Sequence, residues 1–351
     1  MAENTKTKQT LTGLARRLSE LPSDKKRVAL ETSAALAGVS LKVSREFVEA
    51  VPKAARILSA DDLRHWGEFG RRLAMGSSAT GAAYFAAGVE ALQKVPEEAR
   101  GAVFRICTRQ LVLSSSIALE SYNLIPEMAA EVEDDQLLTE ILSLASEIAQ
   151  RSAKHSADFL VYTPSVAASV TRFNDPRVTE AVKMLASDFA TRTGGLTAEL
   201  WEKLPEAFEN LSADAAVKLM ETAAAFLEFG GSVTLHFVAS GSKVLADAAS
   251  TFNEWSALAR TIAGHGNAVL IAFLRATPKL TAHFAARRRQ IPESELTRVL
   301  QVTANIAEAD AESALAAYRS SPFALAKVSV EQFEEWVENG LRLGEKSSAK
   351  A

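Results

Sequence analysis

One cysteine, Cys107, is all the thiol chemistry this chain carries, which excludes a disulfide framework and a cysteine-based metal site. It lies in Val103-Phe104-Arg105-Ile106-Cys107, a pattern that predicts a buried helical face, where a free thiol is a small, inert core residue. Histidine is also scarce. His65, His155, His236, His265 and His283 include no pair three or four residues apart and no His-Glu-x-x-His, so a helical metal site has no support. No run reaches the roughly 18 uninterrupted apolar residues of a membrane span. The polar start Met1-Ala2-Glu3-Asn4-Thr5-Lys6 leads into no apolar segment and does not read as a signal peptide. With neither export signal nor disulfides, the expected compartment is the cytoplasm. Cations are not in excess: the net charge of −4 provides no basic field for a nucleic-acid backbone or an anionic membrane. The one dense basic spot, Arg287-Arg288-Arg289, reads as a solvated helix end.

The signatures of catalysis are missing too. There is no Gly-x-x-x-x-Gly-Lys-Ser/Thr, no strand-following Gly-x-Gly-x-x-Gly and no Gly-x-Ser-x-Gly. Gly264-His265-Gly266-Asn267 is the nearest approach to a phosphate loop, and it shares its phase with Gly194-Gly195 and Gly230-Gly231; the recurrence predicts tight turns between repeats. The acidic clusters Glu97-Glu98 and Glu131–Asp135 could do acid–base work or bind a hard cation. Their places at loops and helix starts match instead the preference of acids for the helix dipole. The expectation is therefore no catalytic, cofactor-binding or metal-ligating residue, no cofactor, and a protein that is not an enzyme.

What is present is a repeat. Apolar residues make up 48% and charged residues 23% of the chain, the balance of a folded protein and not of a disordered one. Six of the ten prolines follow an aromatic residue by four or five positions: Phe47 and Pro52, Tyr122 and Pro126, Phe159 and Pro164, Trp201 and Pro205, Phe273 and Pro278, Tyr318 and Pro322. Tyr84-Phe85 before Gly88, and Phe237 before Gly241, fit with glycine in the proline place. These eight markers stand 36 to 44 residues apart. Trp66, Trp255 and Trp336 each lie 14 residues beyond a marker, and Leu219 takes that place after Pro205. Thr163-Pro164, Thr277-Pro278 and Ser321-Pro322 read as helix starts, with a hydroxyl cap and proline at the first helical position. Ser59, Ser212 and Ser329, and Pro292-Glu293-Ser294-Glu295, read as the openings of a second helix in each unit. Leu63, Trp66, Phe69, Gly70 and Leu73 fall at helical steps, and no segment alternates with the period of a strand.

A unit of about 38 residues cannot bury its apolar face alone, so neighbours must stack. The predicted fold is all-α: an α-solenoid of about eight helical repeats, similar to HEAT or armadillo arrays. Residues 1–33 read as a polar tail and capping helix, with an amphipathic stretch around Leu11 to Leu21; 34–344 read as the array and 345–351 as a flexible tail.

The unit resembles the N-terminal helical-repeat region of bacterial von Willebrand factor A-domain proteins of the nitric-oxide-reductase-activation type. The residues that carry the likeness are Leu63-Arg64-His65-Trp66-Gly67-Glu68-Phe69-Gly70-Arg71-Arg72-Leu73 with Ala82-Ala83-Tyr84-Phe85, Ala272-Phe273-Leu274-Arg275-Ala276-Thr277-Pro278, and Phe333-Glu334-Glu335-Trp336-Val337-Glu338-Asn339-Gly340-Leu341. The family's metal-adhesion motif Asp-x-Ser-x-Ser is absent, so no ligand residue carries over. The resemblance implies a partnership with a MoxR-type AAA+ ATPase, or with a von Willebrand A-domain protein, in activating or assembling a metalloenzyme. The chain would then be a free-standing relative or the front of a longer product. The functional expectation is a non-catalytic, protein-binding scaffold that acts as a bacterial assembly factor and engages no nucleic acid and inserts in no membrane. The alternative is a structural subunit of a larger redox or self-assembled complex.

Overall fold

A computed structural model describes residues 18–132, 134–193, 195–287, 293–307, 310–327 and 329–348, and among these there is no β-strand. The protein is all-α. It divides into two compact units, Met1–Ala167 and Ala168–Ala351.

The first unit contains α1 (Ser23–Ala37), α2 (Leu41–Ile57), α3 (Ala60–Gly76), α4 (Ser78–Ala87), a 3-10 turn (Glu90–Lys94), α5 (Glu97–Leu113), α6 (Ser115–Glu131), α7 (Asp135–Ala149) and most of α8 (Ala153–Thr171). Helices α1, α3, α5 and α7 pack side by side in chain order, and α2 packs beside α4. The second unit contains α9 (Pro176–Thr193), α10 (Leu196–Phe208), α11 (Ala213–Phe226), α12 (Gly231–Asp247), α13 (Phe252–Ala263), α14 (Asn267–Arg287), α15 (Glu293–Ala307), α16 (Ala311–Lys327) and α17 (Val330–Ser348). There α10, α12, α14 and α16 lie side by side in one layer, and α13, α15 and α17 in another. Within each unit, helices thus pack on the next but one in sequence, as stacked helical units do. All eight sequence markers fall in or at the end of an even-numbered helix. Helix α1 runs across position 33, and α17 continues through Gly344 to Ser348. Most of the amphipathic stretch around Leu11 to Leu21, and Pro292, lie outside the described residues.

The marker aromatics form the core. Phe47, Phe85, Phe159, Phe237 and Phe273 are fully buried, and Trp201 and Tyr318 nearly so. Trp66 and Trp255 are buried with them, whereas Trp336 on α17 is half-buried and stacks on Phe333 at 5.8 Å. Rings touch from helix to helix in the first unit: Phe47 to Trp66 at 5.3 Å, Trp66 to Phe85 at 4.8 Å and Tyr84 to Tyr122 at 5.0 Å. In the second unit Phe226, Phe237 and Trp255 follow one another at 4.0 and 5.0 Å, and Phe273 meets Tyr318 at 4.5 Å. Gly70 makes room for this packing, because a Cβ there would lie 2.1 Å from the Phe85 ring tip.

The serine caps follow the sequence reading. Ser59 accepts from the Asp62 amide and Ser212 from the Ala215 amide. Ser329 accepts from the Gln332 amide while the Gln332 side chain accepts from the Ser329 amide, a reciprocal box that satisfies two orphan donors. Ser77 both ends α3 and opens α4, and Ser114 does the same between α5 and α6, in nearly the same extended conformation.

The six marker prolines do not start helices. Pro52, Pro126, Pro164, Pro205, Pro278 and Pro322 all lie inside α2, α6, α8, α10, α14 and α16. The preceding hydroxyls turn back: Thr163 donates to the Phe159 carbonyl, Thr277 to Phe273 and Ser321 to Ala317, a bond that bends a helix rather than capping one. An interior proline removes one hydrogen bond and costs about 3 kcal/mol. At Pro278 the carbonyl left without an amide donor is that of Leu274, and Ser240 of α12 donates to it at 2.6 Å. Packing thus offsets what the local sequence disfavours. The glycine markers also differ from expectation: Gly88 closes α4 at φ +76°, and Gly241 sits within α12 against Leu219, Phe252 and Trp255.

A polar node lies in the second unit's core. Thr277 gives its only hydroxyl proton to Phe273, so its Oγ1 accepts from Trp255 Nε1 at 3.1 Å and from the Tyr318 hydroxyl at 3.0 Å. In the first unit Ala87 occupies the corresponding place before Gly88, and the buried Trp66 Nε1 and Tyr84 hydroxyl have no hydrogen-bond partner. Tyr318→Phe is therefore expected to cost about 1 kcal/mol, whereas Tyr84→Phe is expected to leave stability unchanged or raise it by up to about 1 kcal/mol. Urea melts of the two variants check this; equal losses would contradict it.

Candidate partner-binding face

Helices α10, α12, α14 and α16 of the second unit turn their other side outward. On a proline-marked helix the positions three before and one after the proline lie one turn apart on the same side. On α14 these are Arg275 and Lys279, and on α16 they are Arg319 and Phe323; all four are exposed. Phe323 is 63% exposed, one of the most solvent-open large apolar side chains described. Because α14 and α16 pack side by side, the four residues form a square, with about 10 Å between the helices and about 6 Å along each. Lys327 extends the square, its Nζ lying 4.4 Å over the Phe323 ring.

Charge here is unbalanced. Helix α14 contains no Asp or Glu at all, and α16 contains only Glu312 at its start. Several cations elsewhere have carboxylate partners: Arg71 and Arg72 share Glu68, Arg177 holds Asp175 and Asp214, and Lys243 reaches Glu206 at 3.4 Å. Among the described residues Lys279 and Arg319 have no carboxylate within 4.0 Å. Arg275 donates from Nη2 to His236 Nε2 on α12 at 3.0 Å. Guanidinium offers only donors, so His236 accepts through Nε2 and is neutral. Burial lowers its pKa, and the positive charges of Arg275 and Lys203 lower it further. The same two positions carry Glu49 and Lys53 around Pro52, and Glu202 and Glu206 around Pro205. The basic square thus belongs to α14 and α16 and does not recur with every repeat.

Residues singled out by sequence fall elsewhere. Cys107 is fully buried in α5, and burial pushes its thiol pKa up, which keeps it protonated and unreactive. Glu97 and Glu98 occupy the first turn of α5, and Asp134 caps α7 by accepting from Leu137. Glu133 lies outside the described residues. Gly264 to Asn267 form the turn between α13 and α14, with Gly266 at φ +108° and the Asn267 side chain donating from Nδ2 to the Phe229 carbonyl. Gly230 to Gly231 form the corresponding turn before α12; Gly194 is outside the described residues. His65 and His265 are exposed, and His155 donates its backbone amide to the Ser152 hydroxyl near the start of α8. Among the described residues no three or more His, Cys, Asp or Glu side chains gather where they could hold a metal ion. Arg287 ends α14, and Arg288 and Arg289 lie outside the described residues.

Two surface pockets in the first unit have volumes near 220 and 250 Å³, below the usual range of about 300–1,000 Å³ for ligand sites. Several of their charged groups are occupied. Lys53 pairs with Glu90 in the first, while in the second Lys25 donates to the Ala55 carbonyl and Arg100 to Ile57. These cations cover the carbonyl end of α2.

Sequence reasoning passed over Arg275, Lys279, Arg319 and Phe323. The available signal was the absence of acid from Asn267 to Arg287, together with the shared register of Arg275 and Arg319 relative to their prolines. Among the described residues no helix is long and apolar enough to cross a membrane. The sequence matches no protein-family model and no curated protein.

Proposed function

We propose that the protein is a non-catalytic scaffold of the cytoplasm that binds a protein partner on the outer face of α14 and α16. One observation supports this reading above others: an exposed phenylalanine, Phe323, beside Arg275, Lys279 and Arg319, which have no carboxylate within 4.0 Å among the described residues. Aromatic and arginine side chains are the groups that concentrate binding energy in protein interfaces. The array supplies a rigid backing, since the buried side of the same helices holds the core rings Phe273 and Tyr318. The likeness of the repeat region puts a MoxR-type AAA+ ATPase or a von Willebrand A-domain protein first among partners, in the activation of a metalloenzyme.

A photo-crosslinking residue placed at Phe323 tests the reading in the cells that make the protein. A discrete adduct from position 323, with none from the equally exposed Met184 on α9, is the expected result. Adducts from neither position, or from both alike, would remove this face as a partner site.

A further inference from the structure

We infer that the partner presents an acidic helix, with carboxylates about seven residues apart on one side and an apolar side chain between them, and that this helix lies across α14 and α16. The inference rests on the scaffold reading and adds the chemistry of what is bound.

Spacing and charge carry it. The cations Arg275 and Lys279 on α14 and Arg319 on α16 are separated by the distance between packed helices, about 8–10 Å. Seven residues of α-helix rise about 10 Å, so a helix crossing the two can set one carboxylate against each. Arginine takes a carboxylate in a two-pronged, charge-assisted contact. Phe323 gives the apolar residue between the carboxylates a place to rest, and Arg275 is already held by His236, which lowers the entropy lost on binding. Burying an uncompensated charge would be costly, so the partner's face must bring acids to these cations.

The same residues disfavour a nucleic acid. Duplex DNA carries a charge about every 1.7 Å along its axis and needs a long basic track, whereas these cations span two helices. In the same layer α10 exposes Glu199, Glu202 and Glu206, which would repel a phosphate chain extended past α12.

The test uses the full chain and a synthetic helical peptide of about three heptads, with Glu at every seventh position and Leu between. Fluorescence anisotropy at low salt should show saturable binding. Binding should weaken at least tenfold in the variant R275E/K279E/R319E, at least threefold in F323A, and steeply with added salt. Circular dichroism confirms that the variants stay helical, and R275Q/K279Q/R319Q should give an intermediate loss. Equal binding of the peptide with Lys in place of Glu, undiminished binding by the charge-reversed variant, or no binding would overturn the inference. Tighter binding of a double-stranded oligonucleotide to this face would also overturn it, as would sizing data showing that the face joins copies of the chain. A crosslink at Phe323 without binding of the acidic peptide leaves the scaffold reading standing and removes only the acidic helix.

Discussion

Raising the pH from 7 to 11 is expected to destabilise the first unit markedly more than the second, because three buried acids ionise in the first against one in the second. The difference comes from where buried acids lie. Tyr84, Tyr122 and Cys107 belong to the first unit and Tyr318 to the second, and burial raises the pKa of all four above ordinary values. Each is neutral when protonated, and its folded pKa exceeds its unfolded one. Its contribution is therefore whole below the unfolded value, about 8.5 for cysteine and about 10 for tyrosine, and drains as the pH rises toward the folded value. Helix content followed against pH, with tyrosinate absorbance and alkylation of Cys107 in the same samples, checks this. Loss of helix should coincide with tyrosine ionisation and thiol exposure, and Y84F/Y122F/C107A should move the transition to higher pH. Tyrosines that titrate near pH 10 while the helices stay intact would sink it.

Gly70→Ala is expected to destabilise the first unit by about 3 kcal/mol. The added methyl would lie 2.1 Å from Phe85 Cζ and 2.7 Å from each Cε. The ring cannot withdraw, because Phe47 and Trp66 pack against it at 5.1 and 4.8 Å. Alanine is the better helix former by about 1 kcal/mol, which is too little to compensate. Phe85→Leu should relieve the clash, so the double variant should be more stable than the two single losses predict by about 1–2 kcal/mol. Thermal melts of the four proteins complete the cycle. A Gly70→Ala protein within about 0.5 kcal/mol of the parent would show that the rings have freedom the packing denies.

These two predictions draw on different degrees of legibility. The buried rings announced themselves, because a residue that plugs a repeated core recurs at one phase. Phe47, Trp201 and Tyr318 lie at the depth their spacing implied. The prolines misled because the rule for Thr-Pro and Ser-Pro is local. The donor that makes Pro278 tolerable, Ser240, lies 34 residues before the Leu274 carbonyl it bonds, on another helix. Gly70 fitted the helical spacing, but nothing in its own helix revealed that Phe85 points at it. The basic square was hidden for a related reason. Arg275 and Arg319 are 44 residues apart in sequence, and a search for adjacent like charges selects Arg287-Arg288-Arg289 instead. Only stacking brings equal register into proximity.

The one-residue joints at Ser77 and Ser114 restrict how this gene can drift. Each extra amino acid would swing everything downstream by about 100°, turning greasy sides to water and charged sides inward. Codon gains and losses should therefore be purged there, while exchanges among Ser, Thr, Asp and Asn survive because each can still cap. Length polymorphism, and any fusion tag inserted by an engineer, belongs in looser crossings such as Phe173 to Asp175, where Asn174 already adopts φ 48°.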